Sequence, residues 1–140
     1  MKNSIICIII ILSIVTLSFK GIEGVTLKVQ INNLQNDEGK LSVTLFDKED
    51  QFLKNGETKV VSIRDDKTAV VTYQNLKPGI YAASVYHDEN DNNDLDKTFF
   101  GIPIEPYGFS NDARGFFGPA SFEDSKFTVK EDKTISIKVE

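Results

Sequence analysis

Past position 7 the chain has no cysteine, and it has no tryptophan anywhere; one histidine, one methionine and four prolines complete the scarce residues. A single thiol has no partner within the chain, so no internal disulfide can staple the fold, and stability must come from burial. One histidine without a nearby cysteine is a poor basis for a zinc site. Positive charge is also in short supply: 16 Lys and Arg stand against 21 Asp and Glu, a formal net charge of −5. Phosphate contacts need clustered cations, so nucleic acid is excluded as an expected partner. No Asn-x-Ser/Thr acceptor for glycosylation occurs.

The one long apolar run lies at the start. Met1-Lys2-Asn3 carries a positive charge, and Ile5 to Phe19 is almost unbroken Ile, Leu, Val, Ser and Thr. The run is short for a membrane span of about 20 residues, and small residues suited to cleavage follow it. This pattern predicts a signal peptide over 1–21, no membrane insertion after its removal, and a secreted or periplasmic protein with a partner there or at the cell surface. Cys7 falls too early in the run to be a lipid-attachment cysteine. Cutting after Gly21 would remove Lys2 and Lys20, taking the formal charge from −5 to −7.

From Val25 onward the period is two, the mark of half-buried strands. Val25, Leu27, Val29 and Ile31 alternate with polar residues, as do Leu41, Val43 and Leu45. Val61 and Ile63 follow, then Ala69, Val71 and Tyr73, and a run from Ile80 to Tyr86. Lys77-Pro78-Gly79-Ile80 predicts a type II turn with positive φ at Gly79. Phe127 and Val129 are expected to face Ile135, Ile137 and Val139 across a turn at Glu131-Asp132-Lys133. The sum is an all-β antiparallel sandwich of about seven strands, immunoglobulin-like or transthyretin-like, over 22–140, with little helix and no internal repeat.

Residues 87–123 show no strand pattern, and a loop this long is usually functional or disordered. It holds Phe99, Phe100, Tyr107, Phe109, Phe116, Phe117 and Phe122, half of the chain's ten Phe and four Tyr. Disordered segments are poor in aromatics. A compact loop is therefore expected, with its aromatics forming a small core of their own or lining a ligand pocket. The candidates for ligand contact are His87, Glu105, Tyr107, Phe109 and Phe117.

The run from His87 to Asp96 is the strongest chemical signal. Calcium wants six to eight oxygens, and alternate residues of a tight acidic loop can supply them. With Asp88 at position one, Asn90 and Asn92 fall at three and five, Asp94 offers a carbonyl at seven, and Asp96 falls at nine. Position six is Asn93 where glycine is usual, and Asn enters the left-handed region readily. Position twelve is Phe99, so the bidentate carboxylate is missing, and Glu105, Glu123 or Asp124 would have to complete the shell. The competing reading is a solvated acidic turn held by its own hydrogen bonds.

Catalysis has weaker support. Ser110, His87 and an aspartate could be written as a triad, and Glu105 with Glu123 as a carboxylate pair, but no motif such as Gly-x-Ser-x-Gly accompanies them. Tyr81, after Pro78-Gly79, is placed to bond back to turn backbone as a tyrosine corner. Gly101, Gly108, Gly115 and Gly118 are expected to serve backbone shape.

Leu76-Lys77-Pro78-Gly79-Ile80-Tyr81-Ala82, Tyr86-His87-Asp88-Glu89-Asn90, Gly101-Ile102-Pro103-Ile104-Glu105, Tyr107-Gly108-Phe109-Ser110-Asn111 and Phe117-Gly118-Pro119 together resemble the bacterial family labelled domain of unknown function 2141. The resemblance covers nearly the whole chain after the leader. It implies an exported sandwich and no known activity. Asn93 departs from the glycine usual there in that family. The expectation is thus a non-enzymatic exported binding or structural module with a calcium-stabilised loop. The alternatives are a carrier of a small apolar or carbohydrate ligand, or a hydrolase. Exposed aromatics around a cavity would favour the carrier.

Overall fold

The computed structural model describes residues 24–140; the expected leader, 1–21, lies outside them. Eight strands form two sheets, β1 (Val25–Asn32), β2 (Lys40–Phe46), β3 (Glu57–Ser62), β4 (Ala69–Leu76), β5 (Gly79–Asp88), β6 (Tyr107–Phe109), β7 (Phe127–Val129) and β8 (Lys133–Lys138). One sheet runs β4-β1-β8; the other runs β3-β2-β5-β6, with β7 also on β5. β5 is long enough to serve three partners. β2 covers one edge from Ala82 to Asp88, while β7 takes Gly79–Tyr81 and β6 takes Ser84–Tyr86 on the other.

Alternation decides what is buried. Leu27, Val29, Ile31, Leu41, Val43, Leu45, Val71, Val85, Val129 and Ile137 fill the space between the sheets. Tyr73 joins the two layers, donating its hydroxyl to the carbonyl of Val43 at 2.8 Å. Tyr81 makes the expected corner bond, donating to the carbonyl of Lys77 at 2.7 Å. Val61, Ile63 and Ile135 pack against this core but are only partly buried.

Three expectations are corrected. β7 and β8 are not a hairpin: β7 lies antiparallel on β5, whereas β8 crosses to the other sheet and runs parallel to β1. The first sheet is therefore mixed rather than antiparallel. Alternation fixes which face a strand buries, not which strand it joins. The left-handed residue near the Pro78 turn is Asn75, at φ 58°, and not Gly79; Gly79 already pairs with Val129 and needs extended backbone. The segment 87–123 is not wholly loop, since it contains β6 and a short helix, α1 (Phe122–Ser125), capped by Ser121 on the amide of Asp124.

β6 is where the sheets meet at one edge. Tyr107 and Glu140 exchange backbone hydrogen bonds, both 3.1 Å. A Cβ on Gly108 would stand 2.2 Å from the carbonyl oxygen of Lys138, so only glycine permits this approach.

Candidate functional site

The loop leaving β5 at Asp88 closes on itself at its neck, where His87 donates its amide to the carbonyl of Pro106 at 2.8 Å. Within it the acids and amides are arranged inward. Asp88, almost fully buried, accepts from the amides of Asn92 at 3.0 Å and Asn93 at 2.8 Å. Asn90 and Asn92 each accept from the amide two residues on. Their side-chain NH2 groups donate to the Asp96 carboxylate at 2.6 and 2.9 Å. Glu105 is buried at the base and grips both ends of the loop, accepting from the amides of Glu89 at 2.9 Å and Asp96 at 3.0 Å. Asn93 takes φ 65° and Asp91 takes φ 60°.

The structure thus brings Asp88, Asn90, Asn92 and Asp96 into one network, with Glu105 beneath them. Asp94 turns aside to accept from the amide of Leu95. Among the described residues no group of three or more His, Cys, Asp or Glu side chains is placed to hold a metal ion. Lys40 pairs with Asp91 at 2.9 Å, and this contact raises the lysine's pKa.

His87 and Ser110 serve the frame. Nε2 of His87 stands 2.7 Å from the carbonyl oxygen of Glu38 and so carries the proton. Nδ1 is buried without a hydrogen-bond partner, 3.8 Å from the Glu89 carboxylate. Ser110 Oγ accepts from the amide of Ala83 at 2.9 Å and donates to the carbonyl of Ser125. Nε2 of His87 and Oγ of Ser110 are bonded to backbone carbonyls, and the two side chains do not bond each other. Glu123 pairs on the surface with Lys126, whereas Glu105 is interior.

The aromatics divide into two groups. Phe109 is buried, and Phe46, Phe52, Phe109 and Phe122 form a chain of ring contacts 5.1–6.1 Å apart, with Tyr107 against Phe109 at 5.9 Å. The cluster is centred on Phe52 and draws in Phe46, both outside the loop, so the covered loop rings pack on the body and not in a core of their own. Nor are the rest covered: Phe99, Phe100, Phe116 and Phe117 are 98%, 86%, 91% and 96% exposed. They sit on two loop tips, 97–104 and 114–119, and their ring contacts are with each other, Phe99 on Phe100 and Phe116 on Phe117. Covering one such ring is worth about 1.5–3 kcal/mol.

Between the tips lies a groove of about 900 Å³ on the outer face of the β2–β5 sheet. Its floor is a row of paired residues, Thr58, Thr44, Ser84 and Phe109. One wall carries Leu95, Phe100, Ile102 and Pro103, another Phe116, Phe117 and Pro119, and a third Leu53 and Lys54. Leu53 holds φ 57° and is 42% exposed, a backbone conformation that costs a branched apolar residue on the order of 1–3 kcal/mol. Of the expected ligand contacts, Tyr107, Phe109 and Phe117 line the groove; His87 and Glu105 lie outside it. Leu53 and Leu95 line the groove without having been expected there, and Phe100 and Phe116 line it although they were not among the candidates for ligand contact. The signal available for two of them was a repeated Phe-Phe-Gly.

Residues 29–138 match the model of a family described as "Uncharacterized protein conserved in bacteria (DUF2141)". No curated protein and no solved structure matches the chain.

Proposed function

The chain belongs to the DUF2141 family, and from the geometry of its loops we propose that it is a non-enzymatic binding module whose groove takes a small apolar ligand. One observation carries this reading: an open groove of ligand size whose walls are exposed Phe, Ile, Leu and Pro side chains. An apolar chain fits better than a sugar. Sugars stack on flat ring faces, and here the rings meet edge to face, at 81° for Phe116–Phe117 and 84° for Phe99–Phe100. The floor hydroxyls of Thr44 and Thr58 bond each other at 2.8 Å and are not both free for a polar ligand. The leader-like start of the chain supports a secreted or periplasmic module.

Fluorescence of 1-anilinonaphthalene-8-sulfonate tests the groove. The wild-type protein should enhance the dye's emission, palmitate should displace it, and Ser84→Trp should abolish the enhancement by filling the floor. Enhancement that survives Ser84→Trp would place the dye elsewhere and end the reading.

A second reading concerns the acidic loop. Asp88 receives the amides of positions five and six, and Asn93 turns left-handed at six, as in a calcium loop. We propose weak calcium binding there, with Kd about 10⁻⁴–10⁻³ M. Millimolar calcium would then add on the order of 1 kcal/mol to stability, a gain that Asp88→Ala should lose. A melting temperature indifferent to calcium would leave the loop held by its own hydrogen bonds.

A further inference from the structure

The two loop tips are copies of one pattern. Lys97-Thr98-Phe99-Phe100-Gly101-Ile102-Pro103 and Arg114-Gly115-Phe116-Phe117-Gly118-Pro119 share a basic residue, a spacer, Phe-Phe, Gly and then Pro. Each Phe-Phe pair meets edge to face, with centroids 5.5 and 4.5 Å apart. Each following glycine has positive φ, 78° at Gly101 and 152° at Gly118, with open space where a Cβ would stand.

Charge is distributed with the same regularity. The chain has 21 acids, yet none falls in 97–104 or 113–122; the only charged residues there are Lys97 and Arg114, one at the neck of each tip. Lys97 is exposed and makes no ion pair among the described residues, while Arg114 is exposed and pairs with Glu140 at 2.8 Å. The first tip also ties part of its own backbone together. Thr98 donates its amide to the carbonyl of Ile102 at 2.8 Å, and Gly101 donates to Thr98 at 2.9 Å. The amide of Ile102 donates to the hydroxyl of Thr98 at 3.2 Å.

We propose that the two Phe-Phe tips dock this protein on a lipid bilayer surface. Aromatic rings beside cations, without acids, are the composition that settles at the boundary between headgroups and acyl chains. The rings enter the boundary and the Lys97 cation, unpaired among the described residues, meets lipid phosphate, while Arg114 reaches one only by exchanging its pairing with Glu140. In the first tip the amides of Thr98, Gly101 and Ile102 are already bonded, so these three add little polar cost on entering a poorly hydrated layer. The contact is peripheral: two loop tips dip into one leaflet and nothing spans it. It adds a surface contact to the expectation of no membrane insertion, and it does not depend on the groove being filled. The net negative charge of the body favours zwitterionic over strongly anionic surfaces.

The absence of tryptophan supplies the test, since a single introduced indole reports its own surroundings. Full-length Phe99→Trp, Phe116→Trp and, as a control on an exposed position of the other sheet, Thr134→Trp are mixed with phosphatidylcholine vesicles with and without bromine-labelled acyl chains. Both tip indoles should shift to shorter wavelength and be quenched by bromolipid, and the Thr134→Trp indole should do neither. Reversing the neck charges with Lys97→Glu and Arg114→Glu in the same background should weaken the quenching. These readouts are local, so binding of vesicles by the N-terminal apolar run does not produce them. Tip indoles that keep their emission on vesicles overturn the proposal. So does a response to monomeric palmitate with none to vesicles, which would make the rings part of the groove alone. Dye uptake blocked by Ser84→Trp fails or succeeds separately, so the two readings are distinguishable.

Discussion

Two neighbouring stretches of the same connection invert the usual partition. At Asp88 and Glu105 carboxylates are interior, 3% and 5% exposed. In 97–104, directly between them in sequence, phenylalanines stand in solvent. The difference is one of available partners. A carboxylate can be buried where backbone amides converge on it, and a tight loop of Asn and Asp supplies such amides. A ring can be buried only against other apolar surface, and the ring contacts of Phe99 and Phe100 are with each other. Polarity alone does not sort these residues.

The sharpest way to break the comparison is to remove the interior acid. Glu105→Ala strands two amides that now bond a carboxylate; with such bonds worth about 1.5–3 kcal/mol each, urea denaturation should show a loss of roughly 3 kcal/mol. Glu105→Gln should recover part of it. A loss near zero would mean that the loop is held by something other than its buried acid.

Next in size is the link between the layers. Tyr73→Phe removes the bond to Val43 and should cost about 1 kcal/mol. Burial raises the Tyr73 phenol's pKa above its ordinary 10.0, with a smaller contribution from the Glu57 charge. Because the folded value lies above the unfolded one, this residue's contribution is complete below about pH 10 and is lost as pH rises through the folded value. Alkaline titration of stability should therefore converge for wild type and Tyr73→Phe. A gap that stays constant above pH 10 would contradict the assignment.

The smallest effect belongs to the exposed side of the comparison. Phe99→Ser with Phe116→Ser should change unfolding free energy by no more than about 0.5 kcal/mol, though the substitutions remove two large apolar side chains. A thermal shift of many degrees would show that the tips pack on the body in solution.

Much of the fold was legible in local pattern. The alternation in Val25–Ile31 and Leu41–Leu45 marks strands and their buried faces, and Pro78-Gly79-Ile80-Tyr81 marks the corner. The pairing of β8 with β1 was not legible, because Phe127–Val129 and Ile135–Val139 read equally well as a hairpin. β6 was missed because three residues, Tyr107-Gly108-Phe109, are too few to show a period. At the site, spacing located the network of Asp88, Asn90, Asn92 and Asp96, and composition located the aromatic segment. Which rings would be covered was hidden, since burial depends on where the sheet ends in space. The repeated basic-x-Phe-Phe-Gly was visible in the chain and distinguishes the exposed rings from Phe109 and Phe122.

The parallel pairing of β1 with β8 also governs how the chain can fold. Thr26 donates its amide to Asp132, 106 positions away, and Leu27 to Asn32 align with Lys133 to Lys138. While the chain is being synthesised, β1 can find β4 but keeps its other edge bare until the last strand emerges. Pairings this distant close late and make for slow folding, and an open edge is a template for another chain. The final strand acts as a latch: until it closes, the molecule is at once unfinished and adhesive.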